Sequence, residues 1–323
     1  VVLPVVALAG CGPSERVAPA VHPEEPIVAA VVRGDGFLVP YAEYVDGRWQ
    51  GPAATLAGPG FPAVTDRPSA WFADRMDALG RWRLLTPLGL ADHTGGRVDV
   101  RVTGPPAELA THCERAWALP TDLPGTPTPA FTVHQNIGVA FSAGGRPLPA
   151  AELEMAPAEM DRAIGFLTPY FDAAEAREVE RRSREGGDVT RRVGAHVATT
   201  PLDVTMLYRV GGSRGMSYYT FEASRSYAPS SGSPMPDCGD ATVMTGWMSE
   251  DSTGAFVLLS NDIAMINCFR KGTPLVQPMA ALAVDGQLFI FTVDRHYEGE
   301  SYSIVAVTTA SADQVLTVYG GGC

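Results

Sequence analysis

The sequence predicts a mainly β, antiparallel fold with one helical insert at about 156–185. Three observations carry the prediction: short runs of apolar residues bounded by turn formers, Gly-containing turns close together along the chain, and one stretch whose apolar residues recur every three to four positions. Residues 27–33 and 37–45 flank Gly34-Asp35-Gly36 and read as a hairpin, because Asp-Gly supplies the positive φ of a type I′ turn. Asp46-Gly47 follows with Trp49, and 51–70, dominated by Ala, Gly and Pro, reads as loop. Residues 81–86, 98–102 and 134–142 read as strands, and the Pro-rich 119–129 as a connection.

The helical insert is defined by Met160, Ile164, Leu167 and Phe171, which the 3.6-residue period places on one face. Pro157 suits a first turn, Pro169 is expected to split or kink the helix, and Gly186-Gly187 to stop it. Glu178, Glu180, Glu185 and Asp188 interleave with Arg181, Arg182, Arg184, Arg191 and Arg192, the pattern of an ion-paired, solvated face. Beyond it come strands at 204–210, 216–224, 242–248, 255–259, 280–284, 287–293, 301–307 and 314–319. Their short connections require antiparallel neighbours, since parallel crossovers need a dozen residues or more. An echo between the Asp-Gly turns and apolar strands of 35–41 and 285–291 leaves a propeller-like closure as the alternative.

Composition excludes several classes. Of 323 residues 46% are hydrophobic and 19% charged, too apolar for disorder, and the 34 Gly follow no collagen period. A net charge of −12 and the lack of a basic run argue against a nucleic-acid partner, whose phosphates need clustered cations. Lys271 is the single lysine, so Schiff-base chemistry would rest on it alone.

Residues 1–10 are uncharged and too short to span a bilayer, the profile of a signal-peptide apolar region. Leu8-Ala9-Gly10-Cys11 closes that run and resembles the lipobox of bacterial lipoprotein signal peptides, in which the cysteine is acylated and becomes the first mature residue. The resemblance implies a truncated signal peptide at 1–10, a lipidated Cys11 on a Pro-rich tether through residue 26, and a single globular domain over 27–323. It also implies a cell-envelope protein, periplasmic or surface-facing, held to a membrane by lipid on Cys11. Gly12 in place of the Asp retention signal of some enteric bacteria favours the outer membrane.

Four cysteines remain, none in a C-x-x-C pair, so an oxidising envelope favours disulfides over a metal. Of the three pairings four cysteines allow, Cys238 with Cys268 and Cys113 with Cys323 is the preferred one. The first closes a loop of about 30 residues and contributes about 3.5 kcal/mol in the chain-entropy view.

Candidates for chemistry are few. Gly211-Gly212-Ser213-Arg214-Gly215 has the G-x-S-x-G form of a nucleophile elbow, but a strand rather than a helix is expected after it, which makes it a hairpin tip. Asp294, His296, Glu298 and Glu300 form the densest ionisable cluster; strand alternation would put the first three on one face, where imidazole and carboxylates could share a proton or a cation. The adjoining Glu298-Gly299 reads as a turn, which would make the cluster solvated hairpin charge. His112, His134 and His196 stand alone. Trp71, Trp82, Trp117 and Trp247 read as core or as the lining of a glycan groove. Nucleotide, zinc-protease and EF-hand motifs are missing, so no cofactor is implied. The expectation is a lipid-anchored envelope protein acting as a noncatalytic binding or interaction module, with an envelope protein or glycan as partner. The alternatives are an envelope hydrolase using His and carboxylate or Ser chemistry, and a cation-dependent binding module.

Overall fold

A computed structural model describes residues 27–51, 81–85, 97–105, 107–110, 115–125, 136–142, 146–152, 157–185, 200–211, 215–227, 241–266, 273–296 and 299–322. The first sheet contains β1 (Ile27–Arg33), β2 (Phe37–Val45), β3 (Arg48–Gln50), β4 (Arg81–Leu85), β5 (Arg97–Arg101), β6 (Ala107–Ala110), β7 (Arg115–Pro120) and β8 (Asn136–Ser142). Its order is β5-β4-β8-β1-β2-β7-β6, with β3 on β2. After β9 (Arg146–Glu152) comes the helix α1 (Pro157–Arg184). Then follow β10 (Asp203–Gly211), β11 (Ser217–Ser226), β12 (Ala241–Glu250), β13 (Phe256–Ile266), β14 (Leu275–Val284), β15 (Gln287–His296), β16 (Gly299–Val307) and β17 (Ala312–Gly322). The second sheet runs β13-β12-β11-β10-β9-β14-β15-β16-β17.

The fold is thus mainly antiparallel β with a single described helix, and the strands gather into two sheets instead of propeller blades. Both Asp-Gly turns at 46–47 and 285–286 have positive φ at both residues, the type I′ geometry that matches strand twist. The 34–36 turn differs from expectation. Only Gly36 is left-handed there, and its N–H donates to the Arg33 carbonyl at 3.0 Å, which gives a three-residue loop ending on an αL glycine.

Strands β6, β7 and β9 lie where the sequence pattern predicts none. The stretch 119–129, expected as a connection, begins with the last residues of β7. β9 carries Pro147 and Pro149, residues that weaken a strand reading. It pairs with β14 through Arg146–Pro149 and with β10 through Ala150–Glu152, so no part of it needs a ladder on both sides at once.

The sheets pack over a shared core. Ile27, Ala29, Val31, Tyr41, Val139 and Phe141 of the first meet Leu282, Phe289, Phe291, Val293, Tyr302 and Ile304 of the second. Phe141 and Phe291 cross nearly edge-on at 4.8 Å between centroids, a favoured aromatic arrangement. β1 is buried on both faces, because Val28, Ala30 and Val32 join Val100 and Leu119 in a separate core on the other side. On that side the end of β5 meets the end of β7 through a bridge between Val102 and Thr121.

The second sheet rolls strongly. β13 and β17, first and last in its order, come within 8 Å of each other between Cα atoms. Val210, Tyr218, Trp247, Ala281, Ile290 and Val305 fill its inner face, with Leu259 of β13 and Ala312 of β17 packed against them. Among the described residues no ladder joins β13 to β17, so the barrel stays open.

α1 covers the outer face beside β10–β13, setting Ala163, Leu167 and Phe171 on Leu207, Phe221 and Met244. It runs unbroken through Pro169, contrary to the expected split. Pro169 and Gly165, whose carbonyl loses its intrahelical donor, both lie on the exposed side, where water can serve. An interior proline costs about 3 kcal/mol; burying Leu167 and Phe171 contributes about 1.5–3 kcal/mol each, and the packing prevails.

The helix is tied down along its length. Arg162 bonds the Glu250 carboxylate at 2.9 Å and the Gly254 carbonyl at 3.1 Å, while Arg182 bonds the Met265 carbonyl at 2.9 Å. Between them Arg225 of β11 pairs with the fully buried Glu175 and with Asp172, and Tyr227 also donates to Glu175. The carboxy-terminal part of α1 is ion-paired as expected, Glu178 with Arg181 and Arg182, Glu185 with Arg181, and Glu180 with Arg184, but Glu178 itself is buried rather than solvated. The hydrogen bond from Arg181, with help from Arg182, holds the Glu178 carboxyl below the usual range. Asp188, Arg191 and Arg192 lie outside the described residues.

Candidate functional site

The ionisable cluster sits on the β15–β16 hairpin. His296 pairs with Gly299, Arg295 with Glu300, Asp294 with Ser301 and Thr292 with Ser303. Ile290 and Val305 belong to the inner core while Phe289, Phe291 and Tyr302 face the first sheet, so alternation sends Thr292, Asp294, His296, Ser301 and Ser303 to the inner face. Glu300 shares the opposite face with Tyr302. The hairpin therefore joins Asp294 to His296, as expected, and separates both from Glu300. Glu298 falls at the turn, outside the described residues.

Asp294 is buried, and both its oxygens accept hydroxyl donors: Thr292 at 2.8 Å, and Ser303. Ser303 in turn lies 3.0 Å from the Thr317 hydroxyl of β17. Burial raises the Asp294 carboxyl above the usual carboxylate range, outweighing the hydroxyl bonds and the nearby His296, which pull the other way. His296 is exposed and its Nε2 lies 2.9 Å from Ser301 Oγ.

The contact between His296 and Ser301 has the length of a nucleophile–base pair. Among the described residues no carboxylate orients it, because Asp294 bonds Thr292 and Ser303 with its two oxygens and makes no hydrogen bond to the imidazole. On the opposite face, Tyr302 donates to the buried Glu300 at 2.6 Å, and its ring meets that of Tyr41 at 5.2 Å. The Tyr41 hydroxyl is buried with no hydrogen-bond partner among the described residues, and burial first, then the Asp294 charge, pushes the phenol well up.

Other candidates divide similarly. Ser213 lies outside the described residues, but β10 and β11 flank it with Gly211 opposite Ser217, so the strand-to-helix setting of a nucleophile elbow does not occur there. Cys11, Cys113, Cys238, Cys268 and Cys323 all lie outside the described residues, as do His112, His134, His196 and Trp71. Trp82 and Trp117 belong to β4 and β7, and Trp247 is buried in the inner core. Among the described residues no three His, Cys, Asp or Glu side chains gather as a metal site.

The sequence reading missed Thr292, Ser301, Ser303 and Thr317, the hydroxyls that occupy the cluster. Their signal is periodic: Thr292-x-Asp294-x-His296 and Ser301-x-Ser303 each place polar residues on one face of a strand.

Fold and site together define a two-sheet antiparallel β protein whose conspicuous acid is locked by hydroxyls. No family model matches the chain, and no curated protein or solved structure matches it significantly.

Proposed function

We propose that the chain is a lipid-anchored bacterial envelope protein whose β-rich body is a noncatalytic binding or interaction module. The observation that carries the noncatalytic part is the burial of Asp294 beneath hydrogen bonds from Thr292 and Ser303. A general acid or base must reach a substrate proton, and this carboxylate is buried under its own hydrogen bonds. The envelope part rests on the lipobox-like Leu8-Ala9-Gly10-Cys11 and the proline-rich tether after it. The partner is an envelope protein or a glycan, met at the periplasmic or outer surface of the membrane that Cys11 anchors, with the outer membrane favoured.

Two measurements test this. Fatty-acid labelling of the gene product in its host should be lost in Cys11→Ala; equal labelling of both forms sinks the anchor. Crosslinking in the intact envelope should capture a reproducible protein or glycan partner; an empty capture counts against the interaction role.

The contact between His296 and Ser301 supports a second reading, an envelope hydrolase with a Ser–His pair. A fluorophosphonate probe that labels the parent chain but not Ser301→Ala would establish it. No labelling removes it.

A further inference from the structure

Arginines gather on the hairpin of β4 and β5, where no basic run of the sequence announces them. Arg83 stands opposite Asp99, Leu85 opposite Arg97, and Arg81 opposite Arg101. Strand alternation places all six residues on one face. Over β1 and β8 the same face carries Ala29, Val139 and Phe141 into the core between the sheets, because Arg83 pairs with Phe141 and Leu85 with Val139. On β5 it reaches the surface, with Asp99 and Arg101 exposed. In the whole chain acids outnumber bases 36 to 24. Here the balance reverses: four arginines meet two acids, Asp99 and Asp122, the second accepting the Arg101 backbone N–H at 2.9 Å.

We propose that this arginine face is where the domain rests on its membrane, and that it takes the phosphates of anionic lipid headgroups. The proposal rests on the lipid-anchor reading and says which side of the domain meets the bilayer.

The first argument is the register. Like charges directly opposite on neighbouring strands destabilise a sheet, so pairing Arg81 with Arg101 works against the fold in water. A phosphate between two guanidinium groups, each able to bond two of its oxygens, turns that repulsion into a clamp.

The second argument is position. Ala29, Phe141, Arg83 and Asp99 form one row across four neighbouring strands, and two residues along, the next row on that face contains Ile27, Arg81 and Arg101. At the usual strand spacing, Arg81 and Arg101 stand about 10 Å and about 14 Å from Ile27. Ile27 begins β1, and residues 12–26 separate it from Cys11, a reach of at most about 55 Å fully extended. A lipid on Cys11 therefore holds the domain near a bilayer by a chain that enters beside the arginines. That tether selects headgroups over a soluble anion. At physiological salt charges act over about 8 Å, so the local excess of arginine governs the contact and the acids elsewhere on the chain do not.

The test uses the full chain with Cys11→Ala, so that no acyl chain does the binding. It follows flotation at physiological salt with vesicles of phosphatidylcholine, alone or in equal parts with phosphatidylglycerol. The chain should float with the anionic vesicles only, and high salt should release it. Arg81→Gln with Arg101→Gln should weaken binding about thirtyfold without lowering the melting temperature, because a like-charged pair is removed. Arg101→Gln alone, at an exposed position, should weaken it about fivefold and carries the test if the double variant does not fold. Arg177→Gln with Arg184→Gln, at exposed positions of α1, should leave binding unchanged. Equal flotation with neutral vesicles, flotation with neither, arginine variants that bind like the parent, α1 variants that lose as much, or preference for a soluble anionic glycan would each overturn the proposal. Fatty-acid labelling judges the anchor separately, since a labelled chain that ignores anionic vesicles keeps the anchor and rejects this surface.

Discussion

Tyr44 of the first sheet donates its hydroxyl to Asp285 of the second at 2.8 Å, fastening β2 to the turn between β14 and β15. Burial first, then this bond to a carboxylate, pushes the phenol up to about 12. The protonated phenol is the form the fold prefers, so its contribution is fully present below pH ~10, the unfolded value. It is lost as pH rises through about 12. Tyr44→Phe should lower stability at neutral pH by about 1.5–3 kcal/mol, the range for a bond to a charged acceptor. Urea titrations at neutral and alkaline pH check both points: the gap between parent and variant should narrow as the pH climbs.

Arg225 and Glu175 hold α1 to the sheet from inside the protein, with side chains 5% and 0% exposed. Removing one partner leaves a buried charge, so Arg225→Met should cost about 3–5 kcal/mol. The double variant Arg225→Met, Glu175→Leu should recover most of that loss. Chemical denaturation of the two variants and the parent decides it; a double variant as unstable as the single would show that the ion pair itself supplies the stability.

Gly246 lies where two backbones come close. A Cβ there would meet the Ser260 carbonyl of β13 and, at 2.8 Å, the ring of Phe221. Neither can swing away as a flexible side chain could. Gly246→Ala should therefore destabilise by about 1–3 kcal/mol, the cost of overpacking. It should also accelerate amide exchange in β13, which must shift to make room. An unchanged melting temperature would refute this account of the site.

Asp294 should make the protein less stable as it ionises. Its folded value is raised, so the folded state binds more protons than the unfolded one. Stability then falls as pH rises from about 4, where the unfolded carboxyl titrates, through the raised folded value, and is flat beyond it. Asp294→Asn should abolish that fall and differ from the parent by no more than about 1 kcal/mol at neutral pH, since the hydroxyls of Thr292 and Ser303 can rotate to serve an amide. Stability curves from acid to neutral pH read out both effects.

Local signals made much of this fold legible, and long-range register hid the rest. The strands from β10 to β17 announce themselves through alternation and Gly turns, and the apolar period of α1 fixes its buried face. β9 was obscured by Pro147 and Pro149, which are tolerated only because its two neighbours pair with different halves of it. The unbroken course of α1 through Pro169 depends on packing by Leu167 and Phe171, which residue propensities do not contain. At the candidate site, alternation suffices to unite Asp294 and His296. The position of Glu300 depends on which residue of β15 stands opposite it, and the pairing of His296 with Gly299 sets that register. The network of Glu175, Arg225 and Tyr227 joins residues about 50 apart, and nothing local marks it.

β9 also bears on the order of assembly. It precedes α1 in the chain, yet its two neighbours, β10 and β14, come later, and β14 ends only at Val284. A chain emerging from its amino end at about 5–20 residues per second holds β9 without its second partner for roughly 7–28 seconds. During that interval the strand is a bare template for wrong pairing, and proline is the residue that spoils such templates. Pro147 and Pro149, which make β9 a poor strand by propensity, thus serve as its guards until the second half of the sheet arrives.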